Sequence, residues 1–362
     1  MMVFTERADL APGYGISRVI RGGWQLAGDH GAVTPGAVSA DLLAFFDAGI
    51  TTFDCADIYT GVEAMIGEFR TALLNQRGAE ALARLRVHTK FVPDLDRLAT
   101  ISGADVRRGI DRSLARLQTE RLDLVQFHWW DYAQPRYLET AHHLRALQAE
   151  GKIALLGGTN FDTAHLNEFA AAGVHFASLQ VQYSLLDRRP AATLVPACAA
   201  LGTQLLCYGT LAGGFLGDSW LGRAEPAATP ENRSLVKYKL IIDEFGGWAL
   251  FQTLLATLRR IADRQGVSIA AVASRHVLDR PGVAGVIVGA RHAGHLADTL
   301  RIGALQLTAA DRAEIDAVLA RATGPTGDVY ALERDRSGRH GAIMKYHLGD
   351  TARPAHPDQS PG

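Results

Sequence analysis

Short apolar runs alternate with amphipathic helical patterns along most of this 362-residue chain. The run at 51–54 lies between two stretches in which apolar residues recur three or four positions apart, as they do on one face of a helix. The alternation continues through a run that ends at Lys90 and another that ends at His128. We interpret eight runs as strands: 16–20, 51–54, 85–90, 122–128, 153–156, 177–182, 204–208 and 284–288.

Repeated strand–helix units favour an α/β fold, a (β/α)8 or TIM barrel. Parallel strands need crossover helices between them, and about eight such units can close on themselves. Two features depart from a minimal barrel: a segment at 209–247, after the seventh strand, which we interpret as a long loop over the site, and extra helical pattern at 248–277. We predict a single barrel domain at 1–332 and a polar, loosely held carboxyl-terminal tail at 333–362.

Composition narrows the class of protein. Hydrophobic residues make up 48% and charged residues 21%, which is typical of a globular chain with a full core. A net charge of −1 with mixed signs favours neither nucleic acid nor an anionic membrane as partner. Three cysteines without metal or disulfide spacing, no signal-peptide pattern and no membrane-length apolar run indicate a cytoplasmic protein. We expect a small-molecule partner and no metal; the pattern leaves the oligomeric state open.

Four polar side chains fall at the carboxyl ends of three predicted strands. Asp54 ends one strand and Tyr59 follows it, while Lys90 and His128 end the next two. Singly, each has an ordinary explanation as a helix cap, a rim aromatic, a surface cation or a core histidine. Together they occupy the end of a (β/α)8 barrel where catalytic groups lie, and a charge at the end of a buried strand is unfavourable unless it is paired or serves a site.

The same four residues suit proton donation to a carbonyl oxygen. An ammonium beside Tyr59 lowers the pKa of a phenol that is otherwise a weak acid at neutral pH, so Lys90 would tune Tyr59. Asp54 would pair with Lys90, and His128 could donate a hydrogen bond to the substrate oxygen. None of these groups supplies reducing equivalents, so the reaction requires a hydride-carrying cofactor.

These motifs resemble those of the aldo-keto reductases, NAD(P)H-dependent barrel enzymes with an Asp, Tyr, Lys, His tetrad. The segment 53–67, with Gly61, Glu63 and Gly67, is similar to the family's first signature, and the resemblance extends over about residues 16–305. It implies a reductase of aldehydes, ketones or sugars in which Tyr59 is the general acid. Around Tyr59 and His128, the side chains of Trp24, Trp129 and, as a further candidate, Trp130 could form an apolar wall of the substrate pocket, although tryptophans at strand ends more often simply pack.

The resemblance also implies residues that hold the cofactor. Thr159, Asn160 and Gln180 correspond to ligands of the nicotinamide carboxamide, and Tyr208 to the aromatic residue that stacks on the ring. Arg291 corresponds to a ligand of the 2′-phosphate, which favours NADP(H), although NAD(H) is not excluded. The remaining implied positions are Gly23, Trp24, Gly209, Thr210, Leu211, Gly213, Gly289, Ala290, His295 and Asp298. Where relatives often carry Tyr-Ser-Pro-Leu this chain has Tyr-Gly-Thr-Leu at 208–211, and His295 and Thr299 replace the family's usual Gln and Asn.

Three other functions are compatible with parts of this pattern. A cofactor-binding regulatory subunit would keep the nucleotide site without turnover. A barrel aldolase would use Lys90 as a Schiff-base nucleophile, but a lysine must be neutral to attack and Asp54 favours its charged form. A metal hydrolase is disfavoured because the His and Asp residues form no recognisable ligand pair on one strand or helix.

Overall fold

A closed barrel of eight parallel strands forms the centre of the molecule. The computed structural model describes residues 3–27, 35–227, 233–290 and 292–346. The first two strands, β1 (Arg7–Ala11) and β2 (Tyr14–Ser17), pair as an antiparallel hairpin. The barrel strands are β3 (Val19–Gly22), β4 (Thr52–Asp54), β5 (Arg86–Phe91), β6 (Leu122–Phe127), β7 (Ile153–Thr159), β8 (Ser178–Gln182), β9 (Gln204–Tyr208) and β10 (Val283–Gly289). Because β10 pairs with both β9 and β3, the barrel is closed and the predicted (β/α)8 fold is confirmed.

Helices surround the barrel and extend it on one side. Their bounds are α1 (Pro35–Asp47), α2 (Val62–Arg84), α3 (Gly103–Arg116), α4 (Tyr137–Ala149), α5 (Thr163–Ala171), α6 (Leu194–Leu201), α7 (Arg233–Phe245), α8 (Gly247–Gln265), α9 (Ile269–Leu278), α10 (Leu296–Ala304), α11 (Ala309–Leu319) and α12 (Ala331–Arg334). Local chemistry sets several of these limits. Ser102 and Asp105 form a reciprocal capping box at the start of α3, and Gly266 ends α8 with φ of 64°, a conformation that glycine adopts without a Cβ clash. Within the described ranges, no helix is both long enough and apolar enough to cross a bilayer.

The hydrophobic core has three parts. The largest lies between the barrel and its outer helices, and a second lies beneath α7, α8 and α9. A smaller cluster joins Leu10 and Ile16 of the hairpin to Ile20, Leu124 and Leu206 of the barrel. The hairpin therefore packs against the barrel interior, whose lining side chains are apolar in this region.

The first predicted strand, 16–20, is two strands in the structure. Ile16 belongs to β2 of the hairpin, whereas Val19 and Ile20 belong to β3 of the barrel. The chain turns at Ser17, whose Oγ donates to the Val19 carbonyl at 2.8 Å while its backbone N–H donates to Thr52 Oγ1. The sequence Ile-Ser-Arg-Val-Ile at 16–20 concealed this break, because the apolar residues on both sides of it are buried.

We had predicted a long loop at 209–247, but part of this segment is a helix. Residues 233–245 form α7, whose buried side chains Tyr238, Ile241, Ile242 and Phe245 recur at helical spacing. These side chains pack in the second core cluster against α8, so the helix is stabilised by tertiary burial. The extra helices predicted at 248–277 are confirmed as α8 and α9.

The tail is also more ordered at its start than its composition predicted. The expected boundary after residue 332 falls inside α12, and Glu333 is only 1% exposed. Its carboxylate accepts two hydrogen bonds from Arg189, at 3.1 and 3.2 Å, across 144 residues of sequence. The pairing of a buried carboxylate with a guanidinium far away in sequence leaves no signal in local composition, which explains why the prediction missed it. Residues 347–362 lie outside the described part of the chain.

Candidate active site

The carboxyl ends of β4, β5 and β6 bring the predicted tetrad to one end of the barrel. Asp54 is the last residue of β4, Lys90 lies near the end of β5, and His128 directly follows β6. Lys90 Nζ donates to Asp54 Oδ2 at 2.7 Å and to the Cys55 carbonyl at 2.8 Å, and it lies 4.9 Å from the centre of the Tyr59 ring. The ammonium thus lies within reach of both the carboxylate and the phenol.

Two glutamines complete the surroundings of the Asp54 carboxylate. Gln126 Nε2 donates to Asp54 Oδ1 at 3.0 Å, and Gln180 Nε2 donates to the same oxygen at 2.7 Å and to Gln126 Oε1 at 3.0 Å. Gln180, which the resemblance assigns to the nicotinamide carboxamide, therefore also holds the tetrad. Sequence reasoning missed Gln126, although a polar residue at a buried position of an apolar strand was a usable signal.

Electrostatics keep Lys90 charged. Burial alone would lower the pKa of its ammonium, but the adjacent Asp54 carboxylate more than offsets this and raises that pKa above its usual value. Burial raises the pKa of Tyr59, and the Lys90 charge opposes this increase without cancelling it. The direction of the lysine's influence agrees with our prediction, but the net effect leaves the Tyr59 phenol a weaker acid than free tyrosine.

The hydrogen bonding of His128 defines its tautomer. Its Nδ1 lies 3.1 Å from the Thr159 carbonyl oxygen, which can only accept, so Nδ1 carries the proton. Burial, followed by the charge of Arg334, lowers the pKa of His128 to about 3, so the ring is neutral and Nε2 has a lone pair. Nε2 is buried and has no hydrogen-bond partner among the described residues. With this tautomer Nε2 accepts a hydrogen bond, for example from an alcohol, whereas donation to a substrate oxygen, as we predicted, needs a proton on Nε2.

Aromatic side chains form the walls near the tetrad. Trp24 packs edge-on against Tyr59 with ring centres 5.0 Å apart, and Trp130 packs edge-on against His128 at 4.3 Å. Trp129, which we predicted to contact substrate, lies instead in the main core, where it is fully buried. Its indole N–H donates to the carbonyls of Asp131 and Gln134, and its ring packs against Phe127 and Tyr137. The structure therefore assigns the wall position to Trp130.

The residues predicted to bind the nicotinamide lie at the ends of β7, β8 and β9. Tyr208 Oη donates to Asn160 Oδ1 at 2.9 Å, which orients the amide so that its nitrogen is free to donate elsewhere. Thr159 Oγ1 donates to the Gln180 carbonyl at 3.1 Å. Asn160 has φ of 59°, an unusual conformation for a residue other than glycine that is common at functional sites.

The glycine-containing loop after β9 is shaped by contact with α7. Gly209 and Gly213 have φ of 75° and 65°, and a Cβ on either would approach the Tyr238 ring or hydroxyl to 2.8 Å or less. Thr210 is buried with its Oγ1 3.3 Å from Ser274 Oγ, and Leu211 is partly buried. Larger residues at the two glycines would displace α7, so the close approach explains them independently of any phosphate.

Other predicted cofactor positions lie where β3 and β10 end. Gly23 donates its backbone N–H to the Asp54 carbonyl at 2.7 Å, and a Cβ there would be 2.8 Å from that oxygen. Gly289 leaves room for Gln25, whose amide would be 2.1 Å from a Cβ. The buried Ala290 accepts a hydrogen bond from Arg21 through its carbonyl.

The predicted adenosine end is only partly described. His295 is exposed and stacks on His292 with ring centres 5.2 Å apart. Asp298 Oδ2 accepts from Ser268 Oγ at 2.7 Å, an interaction that ties α10 to the start of α9. Arg291, our candidate ligand for a 2′-phosphate, lies outside the described residues.

A group of residues that sequence reasoning did not identify closes the other side of the site. Tyr330 packs edge-on against His128 at 5.7 Å. Lys237, on α7, places its Nζ 5.4 Å from the centre of the Tyr208 ring and 5.6 Å from that of Tyr330, and 3.7 Å from Glu333 Oε1. Lys237 and Glu333 come from the segments that we had interpreted as a loop and a loose tail, and Tyr330 lies just before the predicted tail, so no motif indicated them.

The arrangement fits a nicotinamide cofactor beside the tetrad. Three groups face the same end of the barrel: the Tyr208 ring, the oriented Asn160 amide and His128 Nε2, which has no hydrogen-bond partner among the described residues. Tyr59 and Lys90 provide the proton donor and the adjacent charge. This set can bind a polar planar ring and move a proton at one side of it.

Comparison with known proteins identifies the class. Residues 18–320 match the model of the Aldo/keto reductase family, and the chain belongs to this family. It is 27% identical to flagellar radial spoke protein 5 of Chlamydomonas reinhardtii, over 61% of this chain and 48% of that protein. It is 30% identical to the aldo-keto reductase YhdN of Bacillus subtilis, over 59% of this chain and 64% of that protein. These matches span about half to two thirds of the relatives' length.

A solved structure resembles the whole barrel. The glycerol dehydrogenase AKR11B4 from Gluconobacter oxydans superposes with a TM-score of 0.71 at 25% sequence identity. The superposition covers 86% of this chain and 94% of the other.

Proposed function

We propose that this protein is an NAD(P)H-dependent oxidoreductase that interconverts a carbonyl group and an alcohol on a small molecule, with Tyr59 as the general acid. The observation that carries the proposal is the position of Lys90 Nζ, 2.7 Å from the Asp54 carboxylate and 4.9 Å from the Tyr59 ring. Membership of the family supports the reaction class, and the named activity of the structural neighbour, a glycerol dehydrogenase, agrees with alcohol chemistry.

In the proposed mechanism each residue has a separate task. The nicotinamide cofactor, when bound, supplies the hydride that reaches the carbonyl carbon. The Tyr59 hydroxyl gives its proton to the carbonyl oxygen, so the product is the alcohol, and the Lys90 ammonium stabilises the resulting phenolate. Asp54, held by Gln126 and Gln180, keeps Lys90 charged and oriented. The same ion pair disfavours the aldolase alternative, which needs a neutral lysine.

His128 has its clearest role with the alcohol. With Nδ1–H committed to the Thr159 carbonyl, Nε2 can accept a hydrogen bond from a second hydroxyl of a polyol substrate, while the reacting hydroxyl keeps its hydrogen for Tyr59. In the reverse direction Tyr59 then acts as the base, with its phenolate stabilised by Lys90. The proposed assignment therefore includes oxidation of alcohols as well as reduction of carbonyls.

For the cofactor and the location we propose NADP(H), with NAD(H) not excluded, and the cytoplasm. The cofactor choice rests on Arg291 and on the family resemblance. Cys55, Cys198 and Cys207 are buried free thiols, which fit a reducing compartment.

The test is a titration with NADPH and NADH, followed by turnover over a panel of aldehydes, ketones and polyols. Tyr59→Phe should bind cofactor like the wild type and lose about 10²–10⁴-fold in turnover. Tyr14→Phe, in the hairpin outside the tetrad, is the matched control and should behave like the wild type. Wild-type turnover in Tyr59→Phe would remove Tyr59 from this role. Binding without turnover by the wild type would favour a regulatory subunit, and no binding of either nucleotide would overturn the proposal.

A further inference from the structure

Arg334 reaches from the carboxyl-terminal segment to the two loops that carry the candidate active-site residues. Its Nη1 donates to the carbonyls of Trp129 at 2.6 Å and Trp130 at 3.0 Å, directly after His128. Its Nη2 donates to the carbonyl of Asn160 at 2.8 Å, directly after Thr159. One guanidinium therefore joins the chain just beyond β6 to the chain just beyond β7.

The bridge lies beside the hydrogen bond that orients His128. The His128 Nδ1–H donates to the Thr159 carbonyl and so spans the same two strand ends. Any change in the separation of these loops changes that 3.1 Å distance, and with it the direction of Nε2. Trp130, whose carbonyl Arg334 binds, also packs directly on the imidazole at 4.3 Å.

Arg334 is itself held by its neighbours. The guanidinium carbon lies 3.9 Å from the centre of the Tyr132 ring and 5.4 Å from that of Tyr330, so an aromatic ring limits its movement on two sides. The adjacent Glu333 fixes α12 to the barrel through the buried Arg189. A planar fork with several fixed donors can satisfy three carbonyls at once, which a lysine cannot do in the same geometry.

We propose that Arg334 is a positioning residue for His128, acting by fixing the loops after β6 and β7 at one separation. The inference rests on the proposed function for its kinetic consequences, but the bridge itself can be tested without activity. These contacts also give the start of the polar tail a structural role, because its Arg334 connects the loops after β6 and β7 at the open end of the site.

The charge of Arg334 has a second consequence for the imidazole. His128 is faced by Lys90 from β5, by Arg334 and Tyr330 from the carboxyl-terminal segment, by Trp130 from its own loop and by the Thr159 carbonyl. Both cations disfavour protonation of the ring. Without Arg334, the imidazole should take up a proton at higher pH than in the wild type.

The experiment compares Arg334→Met, Arg334→Lys and, as a matched control, Arg336→Met. Arg336 lies in the same segment but is exposed and makes one ion pair, to Asp131. Arg334→Met should lower kcat by about 10- to 100-fold, as expected for a misplaced reacting group, with a much smaller change in KM. The acid limb of its kcat/KM profile should move to higher pH. Arg334→Lys should lose part of kcat but keep the wild-type acid limb, because it retains the charge.

Hydrogen–deuterium exchange provides the readout that is independent of turnover. In Arg334→Met the amides of 128–132 and 159–162 should exchange faster, while those of β8 stay as in the wild type. General destabilisation would instead raise exchange in all these elements, which would contradict a positioning role. Exchange and kcat equal to those of Arg336→Met would overturn the proposal.

Two further outcomes are distinguished by the same variants. If the wild type has no turnover, the proposed function fails while exchange still decides whether Arg334 bridges the loops. If Arg334→Met does not fold, Arg334→Lys decides: wild-type kcat and loop exchange in that variant would overturn the requirement for the guanidinium.

Discussion

Replacing Asp54 with asparagine should destabilise the protein strongly, because it leaves Lys90 as a buried cation without a carboxylate. The two side chains are only 4% and 6% exposed and are 2.7 Å apart. At that distance and an effective dielectric constant of about 20, their attraction is about 6 kcal/mol. Desolvation of both ions offsets part of this, and breaking a buried pair by removing one partner lowers the free energy of unfolding by about 3–5 kcal/mol. We expect a loss in that range at pH 7.

The assay is equilibrium unfolding in urea for four proteins: the wild type, Asp54→Asn, Lys90→Met and the double variant. The double variant removes both charges, so no buried ion remains without a partner. Its free energy of unfolding should therefore lie closer to the wild-type value than the sum of the two single losses predicts. The coupling energy from this cycle measures the interaction directly.

An exposed ion pair provides the control. Arg77 and Asp47 are 2.9 Å apart, but their side chains are 49% and 37% exposed. Asp47→Asn should change the free energy of unfolding by less than about 1 kcal/mol, since solvent screens such pairs. Equal, small losses for Asp54→Asn and Asp47→Asn would refute the argument that burial gives the Asp54–Lys90 pair its effect.

Three further predictions concern individual buried groups. Burial lowers the pKa of His88 to about 4, so the unfolded state binds more protons than the folded state between pH 6.5 and 4, and the protein loses stability as the pH falls. His88→Leu should reduce this loss in the free energy of unfolding by up to about 3 kcal/mol, measured by unfolding at each pH. Burial, aided by the charge of Glu63, raises the pKa of Asp57 to about 8, so the folded state retains a proton and loses stability as the pH rises from about 4 to 8. Asp57→Asn should remove this pH dependence of the free energy of unfolding, and an unchanged pH dependence in the variant would contradict the assignment. Lys237 Nζ lies near the Tyr208 ring, where its charge would repel a cationic nicotinamide. Lys237→Met should therefore strengthen NADP+ binding relative to NADPH binding by about fivefold, equivalent to about 1 kcal/mol. An unchanged ratio of the two dissociation constants would argue against stacking of the nicotinamide on Tyr208.

The predicted barrel and the proximity of the tetrad followed from local patterns. Apolar runs separated by helical stripes are a property of neighbouring residues, and parallel strands bring their carboxyl ends to one face whatever the details of packing. For this reason the sequence alone predicts the pairing of Asp54 with Lys90. The errors lie where a local pattern had two outcomes. The run at 16–20 turns at Ser17, and of the adjacent Trp129 and Trp130, both in the main core, the first packs on Phe127 and the second on His128.

The sequence by itself thus determined the barrel, the strand ends that carry Asp54, Tyr59, Lys90 and His128, and the need for an external hydride source. Only the tertiary structure decided which nitrogen of His128 carries its proton and which residues close the site, Lys237, Tyr330 and Arg334 among them. The physical reason is range. Strand and helix patterns arise from residues a few positions apart, whereas the carbonyls bound by Arg334 lie 174 to 205 residues away in sequence and are brought to it by folding alone.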